Sequence, residues 1–192
     1  MKESKLYLFF RPIVKLFVKI FIRPKYIGLE NIPKDEKIIL AGTHTHVCDS
    51  FLLMSSTKRP IHFLAKKELW KFPYGIIISH MGLIPVDRKN KSPNSLIEAK
   101  KYLDSNMVVL IFPEGTLEKE KGKLLPFKMG AIKLASDTNT KIVPFSIDGK
   151  YFKKGLKIRF GKPVKITGDL EEELENFKNI IEELRNENTS VI

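Results

Sequence analysis

The sequence predicts a single α/β domain with a mostly parallel mixed sheet flanked by helices, preceded by a basic amphipathic helix. Short apolar runs typical of buried strands alternate along the chain with helical patterns, which favours parallel strands connected by helices. The 192 residues are enough for one such domain with a sizeable core. We therefore expect residues 1–24 to form a helical segment of their own and residues 25–192 to form the α/β domain.

The first element, over residues 5–25, has the pattern of an amphipathic helix. Its large apolar residues recur every three or four positions and are Leu6, Phe9, Phe10, Ile13, Leu16, Phe17, Ile20 and Phe21. The basic residues of the opposite stripe are Arg11, Lys15, Lys19 and Arg23. Pro12 predicts a start or a kink of this helix, and Pro24 predicts its end.

This helix is expected to lie on an anionic membrane surface rather than to cross the bilayer. Lys15 and Lys19 would each cost roughly 2.5–3.5 kcal/mol at the centre of a span, whereas each basic residue at the surface gains about 1 kcal/mol. A signal peptide is disfavoured, because lysines interrupt the apolar run and no small-residue cleavage site follows. The alternative is a helix that covers the domain's own core, but an aromatic-rich face opposite a basic one favours an interfacial anchor.

The remaining elements alternate between strand and helix. Strands are predicted over residues 26–29, 38–41, 61–64, 83–86, 108–112 and 142–147, and helices over residues 92–106, 126–137 and 169–187. Pro144 falls inside the last strand, and because proline has no N–H for the ladder we expect an edge, a bulge or a strand end there. Polar clusters follow several of these strands, at the edge where α/β sheets bind ligands.

Composition limits the functional class without deciding it. Hydrophobic residues make up 43% and charged residues 29% of the chain, as in an ordered globular protein. The single cysteine excludes an intramolecular disulfide and fits a reducing compartment. A net charge of +12 calls for an anionic partner, and nucleic acid, a membrane surface and an acidic substrate or carrier protein all satisfy it.

The first polar cluster follows the strand at 38–41 and contains His44 and Asp49, five positions apart. On a continuous helix the two side chains would point about 140° apart, so they meet only if His44 lies on a turn and Asp49 starts the next helix. There Asp49 fixes the tautomer of His44, and the other ring nitrogen acts as a base. An ordinary helix cap by Asp49, with His44 filling the turn, fits the spacing equally well.

Two other uses of this cluster are weaker. A metal site on His44 and His46 needs a third ligand, and the chain's other two histidines lie in apolar surroundings without matching spacing. A Cys48 nucleophile is opposed by the adjacent Asp49, whose charge raises the pKa of the thiol. We therefore expect no metal site and a packing role for Cys48.

Two further clusters follow predicted strands. Arg88 offers bidentate recognition of a phosphate or carboxylate, and the alternative is a solvated arginine paired with Asp87. Gly115 allows the backbone to approach an anion closely. The preceding Glu114 either contacts a substrate or accepts hydrogen bonds from backbone N–H groups or from Arg88.

Four blocks occur in a fixed order: H-x-x-x-x-D at residues 44–49, G-x-I-P-V-D-R at 82–88, F-P-E-G-T at 112–116 and V-P-F at 143–145. Together they resemble the ordered blocks of the glycerolipid acyltransferases, most closely the bacterial 1-acyl-glycerol-3-phosphate acyltransferases. F-K-M-G-A at residues 127–131 is similar to the helix start that follows their third block. The resemblance covers roughly residues 38–147.

The resemblance implies an acyltransferase that needs neither a metal nor a bound cofactor. His44 would be the general base that takes the proton from the acceptor's free glycerol hydroxyl, and Asp49 would orient His44 and stabilise its imidazolium. The hydroxyl would attack the thioester carbonyl of the acyl donor directly and release a thiol, without an acyl-enzyme. A neutral hydroxyl does require such a base.

The same resemblance implies an acceptor site. Arg88 would hold the acceptor's phosphate, while Glu114, the Gly115 backbone and Thr116 would shape the site around it. These roles suit the residue types, because a phosphate is bound by arginine and by free N–H groups.

This sequence departs from the family pattern at four positions. Thr43 stands where the family often has asparagine, and His46 where it commonly has serine. Leu117 and Glu118 follow the third block where the family usually has Arg-Ser, which removes one phosphate contact. A neighbouring lysine, Lys119 or Lys128, is a candidate replacement.

The implied partners are acyl-CoA or an acyl-carrier protein as donor, lysophosphatidate as acceptor, and an anionic membrane at its cytoplasmic face, where the protein is peripheral. The basic surface suits both lipid and an acidic carrier protein. Two alternatives stay open: the same chemistry on another lysophospholipid or an acyl-amino lipid, and a non-catalytic basic module that binds membranes or nucleic acid. We expect no nucleic-acid partner, because no aromatic-basic recognition motif lies beyond the N-terminal helix.

Overall fold

The computed structural model describes residues 4–71, 75, 80–87, 94–118 and 123–189. Within them the strands are β1 (Lys25–Ile27), β2 (Ile38–Gly42), β3 (Ile61–Lys66), β4 (Ile84–Val86), β5 (Val108–Ile111), β6 (Lys141–Asp148) and β7 (Lys157–Phe160). They form one sheet in the order β1-β7-β6-β2-β5-β3-β4. Every described pair is parallel except β6 with β7, so the predicted mostly parallel mixed sheet is confirmed.

Five α-helices lie within the described residues. They are α1 (Lys5–Phe17), α2 (Asp49–Ser56), α3 (Asn94–Asp104), α4 (Gly130–Thr138) and α5 (Leu170–Thr189). A π-helical segment, Val18–Ile22, continues α1, and Arg23 ends it in the left-handed conformation just before Pro24. Short 3-10 turns occupy Leu29–Asn31 and Lys67–Trp70.

Helices cover both faces of the sheet. The strand β2 contributes to both of the resulting cores, because alternate residues of a strand point to opposite sides. Ile39 and Ala41 of β2 belong to the core formed with α3, α4 and α5. Ile38 and Leu40 belong to the second core, formed with α2 and the π-helical segment. All four side chains are fully buried, which explains why β2 reads as a continuous apolar run in the sequence.

Pro144 lies inside β6, which is an interior strand between β2 and β7, so the expected edge, bulge or strand end is wrong for this strand. The carbonyl of Pro144 accepts a hydrogen bond from Gly161 N–H at 2.9 Å, just past the end of β7. In a strand the N–H and C=O of one residue point to the same neighbour. The missing N–H of Pro144 therefore faces the place where β7 has already ended, and the ladder with β2 loses nothing.

One side of α1 docks on the domain. The buried Tyr7 hydroxyl accepts the N–H of Ile61 at 3.1 Å, and the Arg11 guanidinium donates to the carbonyl of Thr57 at 2.8 and 3.1 Å. Arg11 therefore points to the end of α2 and does not belong to an exposed basic stripe, which corrects our expectation. The physical reason is that the last carbonyls of a helix need donors from outside it. Pro12 lies within α1, which begins at Lys5, so the helix does not start at the proline.

The other side of α1 and its π-helical continuation is apolar and exposed. Phe9, Ile13, Leu16, Ile20 and Phe21 each have more than half of their surface exposed. Lysines 15 and 19 are exposed as well. Among the described residues, no helix combines the length and the hydropathy that crossing a bilayer requires.

Candidate active site

The polar clusters meet at the carboxyl ends of β2, β5 and β6. Gly42 ends β2 at a point where the backbone of β6 comes very close: a Cβ on Gly42 would lie 1.9 Å from the carbonyl oxygen of Phe145. The next residue, Thr43, is buried, and its hydroxyl accepts the N–H of Ile147 at 2.9 Å. These contacts fix the start of the turn that carries the first cluster.

The chain bends between His44 and Asp49, as the spacing requires. His44 lies on a turn that is neither helix nor strand, and α2 begins at Asp49. His44 Nδ1 is 2.9 Å from Asp49 Oδ2, and the His44 ring stacks on Phe112 with centroids 3.8 Å apart. Asp49 is fully buried, whereas the His44 side chain is 19% exposed. The other ring nitrogen of His44, Nε2, takes no part in this contact.

The carboxylate of Asp49 is turned back toward this turn rather than forward along its helix. Oδ2 accepts the backbone N–H groups of Thr45 at 2.7 Å and His46 at 2.9 Å in addition to His44. Oδ1 accepts the hydroxyls of Thr45, at 3.3 Å, and Tyr151. A buried carboxylate needs such donors to offset its loss of water. This arrangement differs from an ordinary N-cap, whose side chain accepts from the helix's own first N–H groups.

His46 and Cys48 have other partners. His46 Nδ1 accepts the Cys48 N–H at 3.1 Å, and the His46 ring stacks on Tyr151 with centroids 4.2 Å apart. Burial, and then the charge of Asp49, raise the pKa of the Cys48 thiol, which disfavours a thiolate nucleophile. Across the described residues, no group of three or more His, Cys, Asp and Glu side chains is placed to hold a metal ion.

Glu114 is 3% exposed and joins two backbone segments. Its Oε1 accepts the His44 N–H at 3.4 Å, and its Oε2 accepts the Leu125 N–H at 2.9 Å. Burial raises the pKa of the Glu114 carboxyl, and the two backbone N–H groups partly oppose that rise. The geometry favours the interpretation of Glu114 as a backbone acceptor that holds His44 in place.

The turn after β5 carries the other predicted acceptor-site residues. Gly115 has a φ of +69°, and a Cβ there would lie 2.6 Å from the Nζ of Lys128. Thr116 follows and is partly exposed. The Lys128 ammonium thus lies against this turn. Arg88 and Lys119 fall outside the described residues.

An ion pair that we did not predict braces the same turn. Arg185 of α5 lies 2.5 Å from Glu118 through Nη2 and Oε1, and the two side chains are 14% and 6% exposed. The Glu118 N–H donates to the His44 carbonyl at 2.8 Å. A cavity of about 470 Å³ opens beside these groups, and its lining includes Thr45, His46, Glu118, Tyr151, Phe152 and Arg185. Tyr151 was likewise missed by sequence reasoning.

Comparison with known proteins gives concordant results. Residues 23–148 match the family model described as Acyltransferase. The chain is 33% identical over 148 residues to the 1-acyl-sn-glycerol-3-phosphate acyltransferase of Bacillus subtilis, covering 73% of each chain. It is 33% identical over 144 residues to the enzyme of that name from Borreliella burgdorferi, covering 72% of this chain and 57% of the other.

A third relative of the same name, from Helicobacter pylori, is 40% identical over 109 residues, covering 55% of this chain and 46% of its own. The crystal structure of the 1-acyl-sn-glycerophosphate acyltransferase from Thermotoga maritima superposes with a TM-score of 0.80. It is 24% identical and covers 97% of this chain and 82% of that one, a likeness that shows the fold.

Proposed function

Because the chain belongs to the acyltransferase family, we propose that it transfers an acyl chain to the free hydroxyl of 1-acyl-glycerol-3-phosphate and makes phosphatidate. The names of its relatives support this acceptor. The observation that carries the proposal is the contact of His44 Nδ1 with the buried Asp49 carboxylate, at the carboxyl edge of the sheet. That contact suits a histidine base whose Nε2 receives the hydroxyl proton.

In the proposed reaction, Nε2 of His44 takes the proton as the acceptor oxygen attacks the thioester carbonyl carbon. Asp49 stabilises the imidazolium that forms. When the carbon–sulfur bond breaks, the imidazolium returns the proton to the leaving sulfur, and the donor is released as a thiol. The donor is the thioester of coenzyme A or of an acyl-carrier protein, and the net charge of +12 suits either anionic group.

The proposed acceptor site lies at the turn after β5, with Gly115 and Thr116 shaping it. Glu114 holds the backbone of His44 there. We propose that Lys128, whose ammonium lies against Gly115, supplies a phosphate contact in place of the family's arginine, together with Arg88.

The proposed location is an anionic membrane surface at its cytoplasmic face, with residues 1–24 as anchor and residues 25–192 as catalytic domain. The exposed apolar residues of α1 support this, and Lys15 and Lys19 beside them suit anionic lipid. A variant with Ile13 and Leu16 changed to serine should lose most of its binding to phosphatidylglycerol-containing vesicles in a flotation assay. The control changes the exposed Ile97 of α3 to serine. Equal binding by both variants would contradict the anchor.

The activity is tested by supplying purified protein with acyl-CoA or acyl-carrier protein and lysophosphatidate, and measuring thiol release and the product lipid. His44→Ala should lower the rate by at least about a thousandfold, because the attacking hydroxyl loses its base. The exposed His80 gives a matched control, and His80→Ala should keep the wild-type rate. A wild-type rate for His44→Ala would overturn the base assignment, and loss of turnover in Cys48→Ala would replace direct attack with a thiol route.

A second acceptor class is favoured by one observation, the replacement of the family's Arg-Ser by Leu117 and Glu118. Competing acceptors against one donor separate the two: preference for lysophosphatidate supports the main proposal, and preference for a head group without phosphate supports an acyl-amino lipid. Salt-sensitive nucleic-acid binding without thioester cleavage would instead indicate a non-catalytic basic module.

A further inference from the structure

We propose that Tyr151 is a positioning residue for the His44–Asp49 pair, with its hydroxyl holding the Asp49 oxygen that does not contact His44. This inference rests on the proposed function, because it gives Tyr151 a part in the same reaction. Tyr151 lies just beyond the residues matched by the family model, which end at 148, and outside all four sequence blocks.

The two carboxylate oxygens of Asp49 have different tasks. Oδ2 meets His44 Nδ1 and two backbone N–H groups, and Oδ1 meets the Tyr151 hydroxyl and, at 3.3 Å, the Thr45 hydroxyl. A carboxylate held at one oxygen can still rotate about its Cβ–Cγ bond, and that rotation would move Oδ2 away from His44. The Tyr151 hydroxyl opposes this rotation by holding Oδ1, so the orientation of His44 depends on Tyr151 through Asp49.

Tyr151 is itself held in place. Its ring stacks on His46 and packs against the core that contains α2 and the π-helical segment. The turn that carries it is sterically demanding: Gly149 has a φ of +108°, and a Cβ there would lie 2.8 Å from backbone atoms of Gly155 and Leu156. Phe152, the next residue, also has a positive φ, of 60°. The constrained backbone of this turn limits the positions that the Tyr151 side chain can take.

The hydroxyl is suited to donate. Burial, and then the neighbouring charge of Asp49, raise the pKa of Tyr151 far above its usual range, so the phenol keeps its proton throughout the pH range of an enzyme assay. The other titratable groups around His44 come from three further places: Cys48 and His46 beside α2, Glu114 and Glu118 after β5, and Arg185 paired with Glu118 from α5.

Tyr151→Phe tests this role, and Tyr26→Phe is its matched control. Tyr26 packs against the same core, and its hydroxyl donates to the Leu52 carbonyl at 2.9 Å instead of to Asp49. In Tyr151→Phe we expect kcat to fall roughly tenfold while KM for both substrates changes less than about twofold, because only the orientation of the base is affected. Tyr26→Phe should keep the wild-type kcat even if it unfolds at a lower temperature.

The pH profile separates positioning from general stability. Without the Tyr151 hydroxyl, Oδ2 of Asp49 can rotate away from His44 and supports the protonated ring less, so the acid limb of kcat/KM should move to lower pH. A merely structural hydroxyl would leave that limb in place. An unchanged limb and an unchanged kcat in Tyr151→Phe would overturn the proposal.

A second readout does not depend on turnover. The Nδ1 proton of His44, assigned by its loss in His44→Gln, should shift in the NMR spectrum of Tyr151→Phe and stay in place in Tyr26→Phe. If the wild-type protein transfers no acyl chain, the proposed function fails, while the NMR shift still decides whether Tyr151 acts on His44 through Asp49. If the Nδ1 proton of His44 resonates at the same position in the wild type, Tyr151→Phe and Tyr26→Phe, the proposed action of Tyr151 on His44 is overturned.

Discussion

Two cavities of nearly equal volume open at opposite edges of the sheet. The one at the amino ends of the strands measures about 460 Å³ and the one at the carboxyl ends about 470 Å³. The first is lined by ordinary surface charges, such as Lys141 and Glu36, which pair at 3.2 Å with 44% and 54% of their side chains exposed. Beside the second, the carboxylates of Asp49, Glu114 and Glu118 are almost entirely buried.

Cavity volume therefore does not distinguish the candidate site, but burial of its acids does. Removing a carboxylate from water is costly, and the cost is offset only where donors meet its oxygens. At the carboxyl edge, donors meet every one of these three acids: backbone N–H groups for Asp49 and Glu114, and a guanidinium for Glu118. At the amino edge the charges stay in water and require no such support.

The largest difference is expected between Asp49, at the carboxyl ends of the strands, and Asp104, at their amino ends. Asp49→Asn should lower kcat by about a thousandfold or more, because an amide accepts at one oxygen only and favours the wrong tautomer of His44. Asp104→Asn, at the amino-end cavity, should leave kcat unchanged. Thiol release by the two variants measures both values, and circular dichroism verifies that each is folded. Equal rates would remove the distinction between the edges.

The next largest difference is expected between the buried ion pair of Arg185 with Glu118 and the exposed pair of Lys141 with Glu36. Arg185→Ala leaves the buried Glu118 without its guanidinium and should cost about 3 kcal/mol of unfolding free energy, as removal of one partner of a buried pair does. Lys141→Ala breaks the exposed pair with Glu36 and should cost less than about 1 kcal/mol. Denaturant titration of both variants gives the comparison. A loss of similar size in the two would show that burial does not set the strength of these pairs.

The smallest effect concerns Glu114, whose carboxyl has a pKa raised above its ordinary value of 4.5 by burial. As the pH rises past that value, the unfolded chain loses this proton first, so the folded state binds more protons and its stability declines. The stability of the wild type relative to Glu114→Gln should therefore decrease from acid to neutral pH, by less than the Arg185→Ala loss. Denaturant midpoints across that range measure it, and a rising difference would contradict the assigned direction.

Features that depend on local pattern were predicted from the sequence, and features that depend on distant contacts were not. The parallel strands and the bend between His44 and Asp49 follow from short-range periodicity and spacing. Tyr151 reaches Asp49 from 102 positions away, and Arg185 reaches Glu118 from 67. Sequence periodicity cannot predict such long-range contacts, because they depend on the order of the strands in the sheet.

The strand β7 was not predicted either, although its sequence carries a strand pattern. The strand alternates basic residues with the buried Ile158 and Phe160, a period-2 pattern over four positions that sequence reasoning overlooked. The direction of Arg11 had no such signal. Its charge fits a surface stripe as well as a helix end, and only the position of the Thr57 carbonyl decides between them.

The pairing of β1 with β7 has a consequence for synthesis. Lys25–Ile27 joins α1 to the sheet, and its neighbour in the sheet is the last strand described, with Lys25 opposite Lys157. At translation rates of about 5–20 residues per second, the ribosome takes on the order of ten seconds to make the segment between them. For that interval β1 has no partner strand, although α1 before it has already been made. A slow codon in this segment would lengthen the time that β1 spends unpaired.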